Sequence, residues 1–163
     1  MANVLFVCMG NICRSPTAHG VFEHLARTRG YDGRISVDSA GTSGFHVGDP
    51  PDQRAQATAL ARGVDLSPQR ARQVAPADFE TFDYVCAMDY DNLAVLKRWR
   101  PKKFTGRLDL FCNFTPELKG QPIPDPYYGG ARGFEKVYDL IERASEGLLA
   151  VIEREKFSGG QAG

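Results

Sequence analysis

The sequence has no apolar run approaching the ~18 to 20 residues that a membrane-spanning helix needs. Its first residues, Met1-Ala2-Asn3-Val4, carry no basic leader and no signal-peptide cleavage pattern. Neither sign of charge is in excess: Lys plus Arg equal Asp plus Glu at 20 each, where a nucleic-acid binder would normally show a basic surplus. Any recognition of anions must therefore be local. Cys-x-x-Cys pairs are missing, which argues against a structural metal. The expectation is a soluble, cytoplasmic protein with no nucleic-acid or membrane partner, no metal and no cofactor. Cys8, Cys13, Cys86 and Cys112 then read as reduced or catalytic thiols, not as two bridges.

What is present is one domain's worth of chain, 163 residues with 42% apolar side chains. Val4-Leu5-Phe6-Val7 reads as a buried parallel strand, and Pro16 to Arg29 as a helix through Ala18, Val21, Phe22, Leu25 and Ala26. Further strands are expected at Ile35–Ser39, Tyr84–Met88 and Arg107–Phe111, with helices over Asp52–Arg62, Asp89–Arg98 and Gly133–Glu155. Asp78–Phe82 reads as one short helical turn, Ala40–Pro51 and Asn113–Gly130 as loops, and 158–163 as a flexible tail beyond a domain at 1–157. The alternation predicts α/β architecture: a single-domain three-layer α/β/α sandwich around a four-stranded parallel sheet. Ligands in such sheets bind at the carboxyl ends of strands, which directs attention to the loop after the first strand.

That loop is Cys8-Met9-Gly10-Asn11-Ile12-Cys13-Arg14-Ser15-Pro16. Ser15 suits an N-cap and Pro16 a first helical position, so the loop runs into a helix N-terminus, where unpaired amides favour an anion. Gly10 and Asn11 tolerate unusual backbone angles and let successive amides turn inward. Arg14 closes the loop with a planar fork for phosphate oxygens. Cys8 sits at the mouth, where the field that binds phosphate also favours a thiolate, placed for in-line attack on phosphorus. Ser15 can donate its hydroxyl to that sulfur. The loop is not a nucleotide P-loop, because the Gly-Lys-Ser/Thr ending is absent.

Breaking a phosphate ester leaves an alkoxide or phenoxide that needs a proton. The long loop offers one in Pro124-Asp125-Pro126-Tyr127-Tyr128, with Asp125 stiffened by prolines on both sides and followed by two rings able to stack on an aromatic substrate.

Together these segments resemble the low-molecular-weight protein tyrosine phosphatases. The resemblance runs from Val4 to about Glu155 and is carried by Val4 to Pro16, Asp38-Ser39-Ala40-Gly41-Thr42, Asp49-Pro50-Pro51-Asp52, Ala71-Arg72-Gln73, Met88-Asp89 with Asn92, and Asp125-Pro126-Tyr127-Tyr128. It implies that Cys8, Arg14 and Asp125 are catalytic, with Cys8 forming a phosphocysteine. Met9, Gly10, Asn11, Ile12, Cys13, Arg14 and Ser15 would bind phosphate. Asn11, Ser15 and Ser39 would support the loop, with Gln69 where many relatives carry a histidine. Phe45, His46, Asp52, Tyr127 and Tyr128 would form the substrate rim, and Cys8 with Cys13 a redox pair. The implied partners are tyrosine-phosphorylated proteins, among them autophosphorylating tyrosine kinases. An arsenate reductase of similar fold would need a relay of further cysteines close in the chain, and Cys86 has none nearer than Cys112. A non-catalytic phosphotyrosine-binding module would typically lack the nucleophile or the acid, and both are here.

Overall fold

The computed structural model describes residues 1–127 and 129–157; Tyr128 and the expected tail at 158–163 lie outside the described residues. Strands β1 (Ala2–Cys8), β2 (Ile35–Gly41), β3 (Tyr84–Ala87) and β4 (Arg107–Leu110) pair in parallel in the order β2-β1-β3-β4. β1, wholly apolar from Val4 to Val7, is an inner strand with a core on each face, which explains that composition. Its side chains alternate: Val4, Phe6 and Cys8 enter one core, Leu5 and Val7 the other.

Helices α1 (Arg14–Thr28), α2 (Gln53–Ala61) and α5 (Gly130–Ile152) cover the Phe6 face, whereas α3 (Asp78–Thr81) and α4 (Tyr90–Trp99) cover the Leu5 face. The three-layer architecture is the expected one. Phe6 is fully buried, with its ring edge-on to Phe22 at 5.7 Å and to Phe111 at 4.9 Å. Truncating such a residue to alanine costs about 3–5 kcal/mol. Arg62, just past α2, lies 2.7 Å from Glu135 and 2.6 Å from Asp139 on α5 and stacks over Tyr138, tying the two helices together.

Several boundaries differ from the sequence reading. The last helix starts at Gly130 and ends at Ile152, followed by a π-helical turn over Glu153–Phe157. β4 stops at Leu110, and Phe111–Phe114 coils as a 3-10 turn, so Cys112 lies in that turn and not at a strand end. The stretch expected to be loop holds a second 3-10 turn, Pro116–Leu118, and Leu118 and Ile123 are buried. Phe111, Phe114, Leu118 and Ile123 all fill the Phe6 core. α5 passes so close to this segment that a Cβ at Gly147 would stand 1.8 Å from Thr115 Oγ1. All four strands point their carboxyl ends the same way, and the loops after β1, β2 and β3 meet there.

Candidate active site

Cys8 ends β1, and Arg14 opens α1 directly after the loop. The cap position falls on Cys13 with no side-chain cap bond, so Ser15 is not the N-cap that its sequence position suggests. Its hydroxyl turns back into the loop, 3.0 Å from Cys8 Sγ. Asn11 is the only non-glycine among the described residues with a positive φ, at 56°. Three side-chain bonds hold it in that left-handed region: Asn11 Nδ2 donates to Ser15 Oγ at 2.8 Å and Ser39 Oγ at 3.0 Å, and Asn11 Oδ1 accepts from the Arg72 N–H at 3.0 Å. Because Ser15 Oγ accepts from Asn11, its own proton is left for the sulfur. The Asn11 N–H also reaches Sγ, at 3.2 Å, so Cys8 receives two donors.

The loop's carbonyls face outward. Cys8 O accepts from Thr42 N–H, Met9 O from Ser43 N–H, and Ile12 O from Asp52 N–H. In a trans peptide the following N–H points the opposite way. The amides of Met9, Gly10 and Cys13 therefore aim away from these neighbours, and they meet no acceptor among the described residues. This packing is close: a Cβ at Gly41 would lie 2.6 Å from Met9 O.

Gln69 makes no hydrogen bond to Asn11 among the described residues. It accepts from Ser39 Oγ at 3.3 Å and donates to Pro16 O at 2.9 Å, so it supports Asn11 through Ser39 and fastens the start of α1.

Arg14 is buried. Its Nη1 donates to Asp89 Oδ2 at 2.7 Å and to Ile123 O at 3.0 Å, while Nη2 stands 3.9 Å from Asp125 Oδ2. Burial alone would lower the Arg14 pKa, but the Cys8 sulfur and the Asp89 carboxylate outweigh it and raise the pKa. Cys13 differs: burial first, then Asp52 and Cys8, push its thiol up to about 12, so it stays protonated near neutral pH.

A cleft of about 470 Å³ opens over the loop, lined by Cys8, Met9, Gly10, Ile12, Cys13 and Arg14 and walled by Ser43, Phe45, His46, Asp125 and Tyr127. Asn11 and Ser15, expected among the phosphate contacts, do not line it; they lie beneath it as supports. Asp52 does not form the rim either. It caps α2 by accepting from the Arg54 and Ala55 N–H groups, and its carboxylate grips the Arg54 guanidinium, which holds its pKa down against the effect of burial. Asp125 Oδ1 accepts from the Tyr127 N–H at 3.0 Å. Cys86 is fully buried in the core.

Three supporting residues escaped the sequence reading. Asp89 was visible as a helix cap: it forms a capping box with Asn92 at the start of α4. Its free oxygen reaches Arg14 only through the fold. Arg72 presents its backbone to Asn11 while its guanidinium is held by Asp38 and Asp78. Arg54 donates to Tyr127 O at 2.9 Å and stacks over the Tyr127 and Phe134 rings at 5.0 and 4.8 Å, pinning the segment that carries Asp125.

The family model described as low molecular weight phosphotyrosine protein phosphatase matches residues 3–158. The chain belongs to this family. A low molecular weight protein-tyrosine-phosphatase of Bacillus subtilis, YfkJ, is 41% identical over 156 residues, covering 96% of this chain and 99% of the relative. The human low molecular weight phosphotyrosine protein phosphatase is 42% identical over 149 residues, 90% of this chain and 93% of that one. A crystal structure of protein tyrosine phosphatase from Entamoeba histolytica, with Hepes in its active site, superposes with a TM-score of 0.90 at 36% identity, covering 96% and 100% of the two chains. The family resemblance drawn from the residues and the phosphatase class are both borne out. Among the described residues, no helix is long and apolar enough to cross a membrane.

Proposed function

We propose that this phosphatase hydrolyses phosphotyrosine in cytoplasmic proteins, and small aryl phosphates, through a phosphocysteine on Cys8, with Asp125 as general acid and base. The Cys8 thiolate attacks phosphorus while the bond to the phenolic oxygen breaks and Asp125 gives that oxygen its proton. Water then attacks phosphorus, Asp125 takes a proton from it, and the S–P bond breaks to return thiolate and inorganic phosphate. Arg14 Nη2 and the inward amides stabilise the equatorial oxygens, where charge spreads in the transition state. Ile12, Phe45 and Tyr127 supply apolar walls for an aryl ring. An autophosphorylating tyrosine kinase is a fitting partner, since it presents such rings on a protein surface.

The observation that carries this reading is the pair of donors on the Cys8 sulfur, at 3.0 and 3.2 Å, on the floor of a cleft that Arg14 and Asp125 both enter. Cys8→Ser is expected to abolish hydrolysis of p-nitrophenyl phosphate while vanadate still binds; turnover above background in that variant would remove the nucleophile.

Cys8 and Cys13 both line the cleft and are proposed as a reversible shield. Peroxide would oxidise the Cys8 thiolate to a sulfenic acid. The Cys13 sulfur would then displace its hydroxyl as water, forming a disulfide that added thiols reduce. After peroxide treatment, dithiothreitol is expected to restore the parent enzyme but not Cys13→Ser; equal recovery would discard the shield.

A further inference from the structure

α4 joins two ends of the molecule. Its N-cap, Asp89, holds Arg14 in the active site, and its last residue, Trp99, lies ten residues on, about 15 Å away at the amino ends of the strands. Around Trp99 the charge balance of the chain breaks down. Lys97, Arg98, Arg100, Lys102 and Lys103 place five of the 20 basic residues within seven positions, and no acidic residue occurs between Asp91 and Asp109. All five are exposed, and none makes an ion pair among the described residues. Lys97, Arg98 and the C-cap residue Arg100 fall at the end of α4, where a helix C-terminus favours cations, but Lys102 and Lys103 lie beyond it.

Trp99 is 44% exposed and forms one wall of an apolar groove of about 390 Å³ with Val74, Pro76 and Phe79. The Phe79 ring meets Phe104 edge-on at 5.5 Å, which brings the Lys102–Lys103 turn beside the groove. An aromatic wall, an apolar floor and unpaired cations together fit an extended acidic segment that carries an apolar side chain. The side chain fills the groove while carboxylates meet the cations. A bilayer fits less well, because a plane of headgroups cannot enter a concave floor.

We infer that the Trp99 groove and the Lys97–Lys103 cations form a docking site for acidic segments of the phosphoprotein substrate, separate from the catalytic cleft and joined to its wall through Gln73, which lines the groove and donates to Thr42 O at 3.0 Å. This rests on the phosphatase reading above. Docking at one end raises the effective concentration of the same chain's phosphotyrosine at the other.

Phosphorylated poly(Glu,Tyr) copolymer and p-nitrophenyl phosphate separate docking from chemistry. At low salt, Lys102→Gln/Lys103→Gln is expected to raise KM for the copolymer severalfold, leaving its kcat and both constants for p-nitrophenyl phosphate unchanged; the difference should vanish at high salt. Since the chain has a single tryptophan, emission excited near 295 nm reports on Trp99 alone. Unphosphorylated copolymer should shift it in the parent and much less in the double variant. Unchanged copolymer KM, or parallel changes for both substrates, would overturn the site. So would a shift produced by phosphatidylserine vesicles and not by copolymer, which would reassign the patch to membranes. If neither substrate were hydrolysed, the phosphatase reading would fail while the emission experiment still judged the dock.

Discussion

Cys8 and Asp125 face each other across one cleft, yet they are held in opposite ways. The loop of the proposed nucleophile rests on buried groups: Asn11, Ser15 and Ser39 are each no more than 5% exposed, and Asn11 bonds both serines beneath the sulfur. The proposed acid stands on a segment near the surface, its own side chain 48% exposed, fastened through Tyr127 by Arg54, which is itself 45% exposed in its side chain. The difference suits the two tasks. A thiolate must stay fixed and desolvated beneath the phosphate through both steps, whereas the acid must give a proton, take one from water and let product leave. The two loops are nonetheless linked, because the Asp52 N–H bonds Ile12 O in one while the Asp52 carboxylate grips the Arg54 that holds the other.

If this contrast holds, the buried side should be the more fragile. Asn11→Ala removes three hydrogen bonds and leaves an alanine at a φ of 56°. At about 1 kcal/mol per bond and about 1–2 kcal/mol for the backbone, the loop should lose its shape, and displacement of reacting groups by an ångström costs ~10²-fold. Steady-state kinetics should show kcat down by at least that factor for every aryl ester, good or poor leaving group alike. A variant within a fewfold of the parent would mean the loop keeps its form without Asn11.

Arg54→Ala should act only through the acid. A general acid is worth about 10²- to 10⁴-fold, and a loosened one should lose on the order of tenfold with phenyl phosphate and less with p-nitrophenyl phosphate, whose leaving group needs its proton less. In an Asp125→Ala background the same substitution should cost almost nothing. Additive effects in that cycle would place Arg54 in substrate binding instead.

The smallest effect belongs to Gln69→Ala, which removes the links to Ser39 and Pro16 without touching Asn11. About 1 kcal/mol of stability should go, a fall of a few degrees in Tm, with kcat reduced no more than a fewfold. A loss as large as that of Asn11→Ala would show that Ser39 cannot hold the asparagine unaided.

The legible half of the site was the half that is contiguous. Cys8 to Arg14 lie within one turn of chain between a strand and a helix, so local rules alone imply an anion nest with a thiol at its mouth. Phe45 and His46 could be placed at the rim only by resemblance, and Asp52, placed there with them, has its carboxylate engaged as a helix cap and a clamp on Arg54. Ser15 misled in the same way, since a good capping residue has a hydroxyl that can be spent elsewhere. Asp89 and Arg72 entered only as marks of the resemblance, with no role, and Arg54 not at all, because each is an ordinary surface-type residue in sequence.

By itself the sequence determined the layer order and the parallel sheet, and it carried the proposed nucleophile with its anion nest and the proposed acid, because each follows from hydrophobic period or from chemistry carried by neighbouring residues. Only the tertiary structure decided what steadies them. Asp89 reaches Arg14 across 75 residues, Arg72 reaches Asn11 across 61, and Arg54 reaches Tyr127 across 73. Hydrogen bonds and ion pairs act over a few ångströms of space, and distance along the chain carries no trace of them until the sheet brings their ends together.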